Sequence, residues 1–210
     1  MRIERIEQPQ DLEHFVVQDL VQLAKQKEGT LHIALPGGRS AQFIVKGLLA
    51  VQPSILSRVH LYLVDERLEG EKNLETLLAA GLDRAVALTQ LSIPRAQQEL
   101  STSPFDRVYL SVGEDGHIAS LFPGRQPEQD TVQVAVVEQS PKPPKRRATL
   151  TYYGFSKLAR NATVFLLFLG EGKRDALERL MSGKEHAGTL PCAYFVDNQF
   201  TNRIITDLKE

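Results

Sequence analysis

Tryptophan is absent from the 210 residues, methionine occurs twice and cysteine once. The lone thiol, Cys192, excludes an intramolecular disulfide and fits a reducing compartment, so a cytoplasmic location is expected. Long hydrophobic runs are missing too. The longest, at 164–169, falls far short of the roughly 20 residues that span a bilayer. The opening MRIERIEQPQ lacks the apolar centre of a signal peptide. Neither sign of charge dominates: 25 Lys and Arg face 26 Asp and Glu, a net charge of −1. No global basic field therefore favours nucleic acid or an anionic membrane. The five histidines are scattered, with no pair at the spacing of a helical zinc motif, so no metal is expected. Internal repeats and low-complexity linkers are absent, and residues 1–210 are expected to form a single domain with a sizeable core.

What is present is an alternation of strand and helix patterns. Strands are expected at 1–8 (an edge), 30–35, 59–64, 108–112, 131–137, 148–153 and 163–169. Shorter ones are expected within 86–93 and at 194–196 and 204–205. Leu12, Phe15, Val16, Leu20, Leu23 and Ala24 recur at helical spacing before Gly29, and further helices are expected at 41–50, 73–82, 155–160 and 174–181. This order predicts an α/β fold with a mainly parallel sheet. Right-handed crossovers would then bring the strand-end tips 37–40, 65–67, 113–117 and 170–173 to one side, where open α/β sheets keep their chemistry.

The tip richest in chemistry lies in FDRVYLSVGEDGHIASLFPG at 105–124. A short apolar run reads as a buried strand, and Gly113 breaks it. Two acids, a glycine and His117 follow within four positions. An imidazole, with an ordinary pKa of about 6.5, suits proton transfer near neutral pH. At 36–40, Pro-Gly-Gly-Arg-Ser joins a strand to a helix, a recipe for holding an oxyanion on backbone N–H groups. It matches neither the dinucleotide fingerprint nor the nucleotide P-loop, so no cofactor is expected. Asp65, Glu66 and Arg67 end another strand, and Arg67 offers a fork of donors. The rigid, basic SPKPPKRR at 140–147 could deliver Lys142, Arg146 or Arg147 to an acidic ligand. Lys173 opens a helix, against the helix dipole, a placement an anion would explain. Each feature also has a plain structural reading as an ordinary turn, a hydroxyl cap or a solvated ion pair.

These tips, in this order, resemble the 6-phosphogluconolactonase family, within the wider group that includes glucosamine-6-phosphate isomerase/deaminase. GEDGHIASLFPG at 113–124 is nearly the full family signature. SPKPPKRRATLT at 140–151 resembles its proline-rich segment, with Arg147 at the arginine. LPGGRS at 35–40, VDER at 64–67 and GEGK at 170–173 resemble its glycine loop, acidic-arginine turn and late lysine. The resemblance implies a NagB-like, modified Rossmann fold: a three-layer, mainly parallel open sheet with helices on both faces. It implies hydrolysis of 6-phospho-D-glucono-1,5-lactone in the oxidative branch of the pentose phosphate pathway. His117 would be the general base, with Asp115 orienting the imidazole or holding the attacking water and Arg67 with a backbone N–H meeting the carbonyl oxygen. Gly37, Gly38, Arg39, Ser40, Asp65, Gly116, Arg147 and Lys173 would hold the substrate and its phosphate. The protein would act without a cofactor, as a monomer or weak homodimer.

Two other readings follow from the same resemblance. Deaminase relatives carry Asn-Glu-Pro where this chain has Leu121-Phe122-Pro123. A non-catalytic sugar-phosphate sensor would use a similar fold, but no helix-turn-helix segment is evident. Departures from the family pattern are Arg39-Ser40-Ala41 in place of Ser-Thr-Pro, a shortened segment after Arg67, Lys72 in place of the usual serine before Asn73, and a helix lacking within 74–104.

Overall fold

The computed structural model describes residues 2–95, 99–125, 127 and 130–209. Its strands are β1 (Arg2–Arg5), β2 (Leu31–Leu35), β3 (Val59–Leu63), β4 (Asp65–Arg67), β5 (Leu91–Ser92), β6 (Arg107–Ser111), β7 (Val134–Val137), β8 (Arg147–Leu150), β9 (Thr163–Phe168) and β10 (Thr201–Thr206). Its helices are α1 (Asp11–Gln26), α2 (Ala41–Leu49), α3 (Pro53–Leu56), α4 (Asn73–Ala79), α5 (Leu82–Ala85), α6 (Tyr152–Leu158), α7 (Arg174–Ser182) and α8 (Tyr194–Asp197).

Seven strands form one sheet in the order β1-β10-β9-β6-β2-β3-β5, and every pairing in it is parallel. Parallel strands need both faces covered, which is why β9 reads as an unbroken apolar run. Alternate residues serve opposite layers. Phe165 and Leu167 pack with Leu12, Val16 and Leu20 of α1 and with Ile44 and Val45 of α2. Val164, Leu166 and Phe168 pack with Phe155 of α6, Ala176 and Leu180 of α7 and Phe195 of α8. The result is the three-layer α/β arrangement expected.

The sequence reading missed a second sheet. β4, β8 and β7 form a small antiparallel ribbon in the order β4-β8-β7. Residues 65–67, expected as a loop tip, are therefore a strand: the backbone of Asp-Glu-Arg finds a partner in β8 that charge patterning does not reveal. Three further expectations are corrected. Residues 194–196 form α8, launched by a tight turn at Pro191–Ala193, whereas three apolar residues alone look like a strand. The helix at 73–82 is two, α4 and α5, broken where Gly81 takes φ +99°. The strand at 148–153 ends at Leu150, because Thr151 caps α6 by accepting from the Gly154 N–H. The short helix α3 went unread.

Candidate active site

The C-terminal ends of β2, β6 and β9, together with one side of the ribbon, enclose a cleft of about 490 Å³. Pro36, Gly37, Gly38, Arg39, Ser40, Asp65 and Arg67 line it, as do Asn73, Ser111, Gly113, His117, Lys142, Arg147 and Lys173. All four tips thus meet in one place.

The histidine loop is built by its glycines. Gly113 donates its N–H to the His117 carbonyl at 2.8 Å, and Gly116 donates to Gly113 at 3.0 Å, closing a tight turn just past β6. A Cβ on Gly113 would lie 1.8 Å from His117 Nδ1 and 2.7 Å from Asp115 Oδ1, so only glycine leaves room for the imidazole. The ring stacks on Phe122, with centroids 4.7 Å apart. His117 Nδ1 sits 2.5 Å from Asp115 Oδ1. A carboxylate only accepts, so Nδ1 carries the hydrogen, which leaves Nε2 as the ring nitrogen able to take up or release a proton. Burial alone would raise the Asp115 carboxyl, but the bond to His117 and the charges of His117 and Lys142 pull it well below the usual carboxylate range. Lys142 Nζ lies 3.4 Å from both Asp115 Oδ1 and His117 Nδ1.

The ribbon supplies the opposite wall. Burial pushes the Asp65 carboxyl up; it accepts from Ser120 Oγ at 2.7 Å and from Asn73 Nδ2 at 3.3 Å. Glu66 is equally buried but turns away to accept from the N–H groups of Arg67, Asn73 and Leu74, at 2.6, 2.7 and 3.0 Å. It therefore ties β4 to the start of α4. Arg67 Nη1 donates to the Glu71 carbonyl at 3.2 Å, while its Nε is buried without a hydrogen-bond partner among the described residues. Arg147, opposite Arg67 in register, donates to the carbonyls of Pro144, Lys142 and Pro143 at 3.0, 3.1 and 2.9 Å. Much of its fork is spent shaping the proline-rich loop.

At the other end stand the glycine loop and the 170–173 turn. Gly37 faces Asn73 so closely that a Cβ would meet its side chain at 2.3 Å, and Gly38 takes φ +78°. Ser40 forms no cap bond to α2; its hydroxyl meets that of Ser111 at the end of β6. Lys173 closes the Glu171–Lys173 turn and caps α7. Burial lowers its pKa, and Arg39 and Lys142 add to that. Among the described residues, neither the Arg39 guanidinium nor the Lys173 ammonium has a hydrogen-bonding or salt-bridging partner. Two cations without a hydrogen-bonding or ion-pair partner beside a glycine loop are chemically suited to an anion.

Two predicted residues stand behind the wall and do not line it. Asp115 reaches the cleft through His117 and Lys142. Gly116, at φ +82°, packs on Leu190, which a Cβ would strike at 2.2 Å, and its carbonyl accepts from Cys192 N–H at 3.0 Å. Its place is structural. Sequence reasoning passed over Gly113, Ser111 and the apolar rim of Pro9, Phe43 and Leu169. For Gly113 a signal existed, a glycine directly between strand and charged tip; for the others none did. Among the described residues no group of three or more His, Cys, Asp or Glu is placed to hold a metal ion, and no helix is long and apolar enough to cross a membrane.

The family described as Glucosamine-6-phosphate isomerases/6-phosphogluconolactonase matches residues 7–205. The 6-phosphogluconolactonase of Rattus norvegicus is 30% identical over 212 aligned residues, covering 87% of this chain and 80% of the rat protein. Among solved structures, the 6-phosphogluconolactonase from Trypanosoma cruzi superposes with a TM-score of 0.78 at 22% identity, covering 98% of this chain and 93% of that one. A monomeric glucosamine-6-phosphate deaminase reaches the same TM-score at 15% identity, over 98% of this chain and 97% of its own, so the shared fold does not by itself separate the two activities. The match over residues 7–205, nearly the whole length, places the chain in the glucosamine-6-phosphate isomerase/6-phosphogluconolactonase family.

Proposed function

We propose that the cleft hydrolyses 6-phospho-D-glucono-1,5-lactone to 6-phosphogluconate. One observation carries the reading: an aspartate-held imidazole and two unpartnered cations share a single cleft. The rat relative, named a 6-phosphogluconolactonase, supports the same substrate. The deaminase reading lacks its acid. Where those relatives have glutamate, this chain has Phe122, buried and stacked on His117.

In the proposed reaction, His117 Nε2 takes a proton from water as the water oxygen bonds to the lactone carbonyl carbon. Asp115 holds the ring in the required tautomer and balances the imidazolium that forms. Negative charge develops on the carbonyl oxygen, where Arg67, with a buried and unpartnered Nε, is the candidate donor. The tetrahedral centre then collapses, the bond from carbon to ring oxygen breaks, and the imidazolium returns its proton to that oxygen. Arg39, Lys173, Arg147 and the Gly37–Ser40 amides grip the phosphate at the far end. That remote grip orients the reacting carbon and turns binding energy into rate.

The test is acid release from freshly generated lactone, corrected for spontaneous hydrolysis. His117→Ala lowers kcat by about 10²–10⁴-fold, the usual contribution of a positioned general base, while 6-phosphogluconate still binds. Unchanged turnover overturns the assignment.

A further inference from the structure

Glu114 reaches from the histidine tip to the 170–173 turn, and the reaction above does not use it. It belongs to the histidine tip, one residue before Asp115. Its side chain lies against the lysine tip: a Cβ built on Gly172 would meet Glu114 Oε1 at 3.0 Å, Cδ at 3.3 Å and Cγ at 3.4 Å. Gly172 is the neighbour of Lys173, so this carboxylate rests on the turn that presents the phosphate-gripping ammonium. It stops short of an ion pair with Lys173. The surroundings of Lys173 are otherwise cationic, with Arg39 and Lys142 both opposing its charge, and Glu114 is the strongest attractive influence on it.

We propose that Glu114 is a specificity-determining residue, a fixed negative charge that weakens the hold of Lys173 on a phosphate dianion. The inference rests on the reading of Lys173 as phosphate anchor. A cluster of cations with no counter-charge would bind the phosphorylated product as tightly as the phosphorylated substrate and release it slowly. A carboxylate beside the ammonium offsets part of that attraction in the bound state and balances Lys173 in the empty one. Its effect scales with ligand charge, so a dianionic phosphate feels it and an uncharged lactone does not.

Glu114 is exposed, so Glu114→Gln keeps the shape and removes only the charge. KM is measured for 6-phosphogluconolactone and for unphosphorylated gluconolactone, with inhibition by inorganic phosphate and by 6-phosphogluconate. In Glu114→Gln the ratio of the two KM values shifts about two- to fivefold toward the phosphorylated substrate, the scale of one partly screened charge. Both anions inhibit more strongly by a similar factor, and the difference shrinks at high salt. Lys173→Ala is the companion variant, and it raises KM for the phosphorylated lactone alone. If Lys173→Ala behaves so while Glu114→Gln leaves the ratio unchanged or shifts it the other way, the role of Glu114 is overturned and the phosphate anchor stands. If Lys173→Ala affects both substrates equally, the anchor falls and the inference with it.

Discussion

Gly113 shows how much chemistry a missing side chain can hold. The imidazole and its aspartate occupy the volume that any Cβ at 113 would take, at 1.8 Å from Nδ1. Gly113→Ala is expected to push His117 out of its pairing with Asp115 and to lower kcat nearly as far as losing the imidazole, while the melting temperature moves little. Activity retained within about tenfold would mean that the loop relaxes around the methyl without cost to the base, against the scale expected of general-base catalysis. The place of His117 in the cleft was legible in the sequence, not from the Asp-Gly-His turn alone, which has bland explanations, but from the strand before it and the other charged strand ends. That Arg39 and Lys173 lack partners was not legible, since pairing depends on groups far apart in the chain. Nor was the structural duty of Arg147, whose donors go to carbonyls of the very loop that precedes it.

At the scale of elements, strands with apolar residues on both faces, β2, β3, β6 and β9, announced themselves. Those whose existence depends on a partner did not. β4 is three charged residues, and nothing in Asp-Glu-Arg suggests a ladder until Thr149, Ala148 and Arg147 are found opposite. α8 failed for the converse reason: aromatic and β-branched residues favour strands in general, and too few of them were present to show a period. Glu66 joins the ribbon to α4 through three N–H groups. Glu66→Ala would leave those donors buried and unsatisfied, at a cost of about 1–3 kcal/mol in denaturant unfolding. Because Asn73 backs Gly37, KM for the phosphorylated lactone should rise as well. A variant as stable as the parent would show that water replaces the carboxylate.

The whole molecule carries a titrating pair away from the cleft. His32 and His60 sit side by side on β2 and β3, with ring centroids 6.4 Å apart. His32 Nδ1 meets Tyr62 Oη at 2.8 Å and His60 Nε2 meets Ser92 Oγ at 2.9 Å. Lys27 and Asp106 stand close by, and Ser101 Oγ reaches the same tyrosine at 3.3 Å. Burial lowers the pKa of both imidazoles, and for His32 the charge of Lys27 lowers it further while Asp106 opposes. A histidine lowered on folding binds protons more readily in the unfolded chain. Stability is therefore intact above the ordinary histidine value and drains away as the pH falls below about 6.5. His32→Gln combined with His60→Gln should flatten that acid limb in urea unfolding, and an undiminished slope would assign it to other groups.

The cleft is a seam between two separately hydrogen-bonded sheets. Seven parallel strands fix the tips bearing Gly37, His117 and Lys173, while Arg67, Lys142 and Arg147 hang from a three-stranded flap. Insertions or deletions in that flap would move Arg67, Lys142 and Arg147, while His117, Arg39 and Lys173 stay on the tips of the parallel sheet. The shortened segment after Arg67 falls on this side, so a change in the size of ligand accepted is expected to arise here sooner than at the tips bearing Arg39 and Lys173.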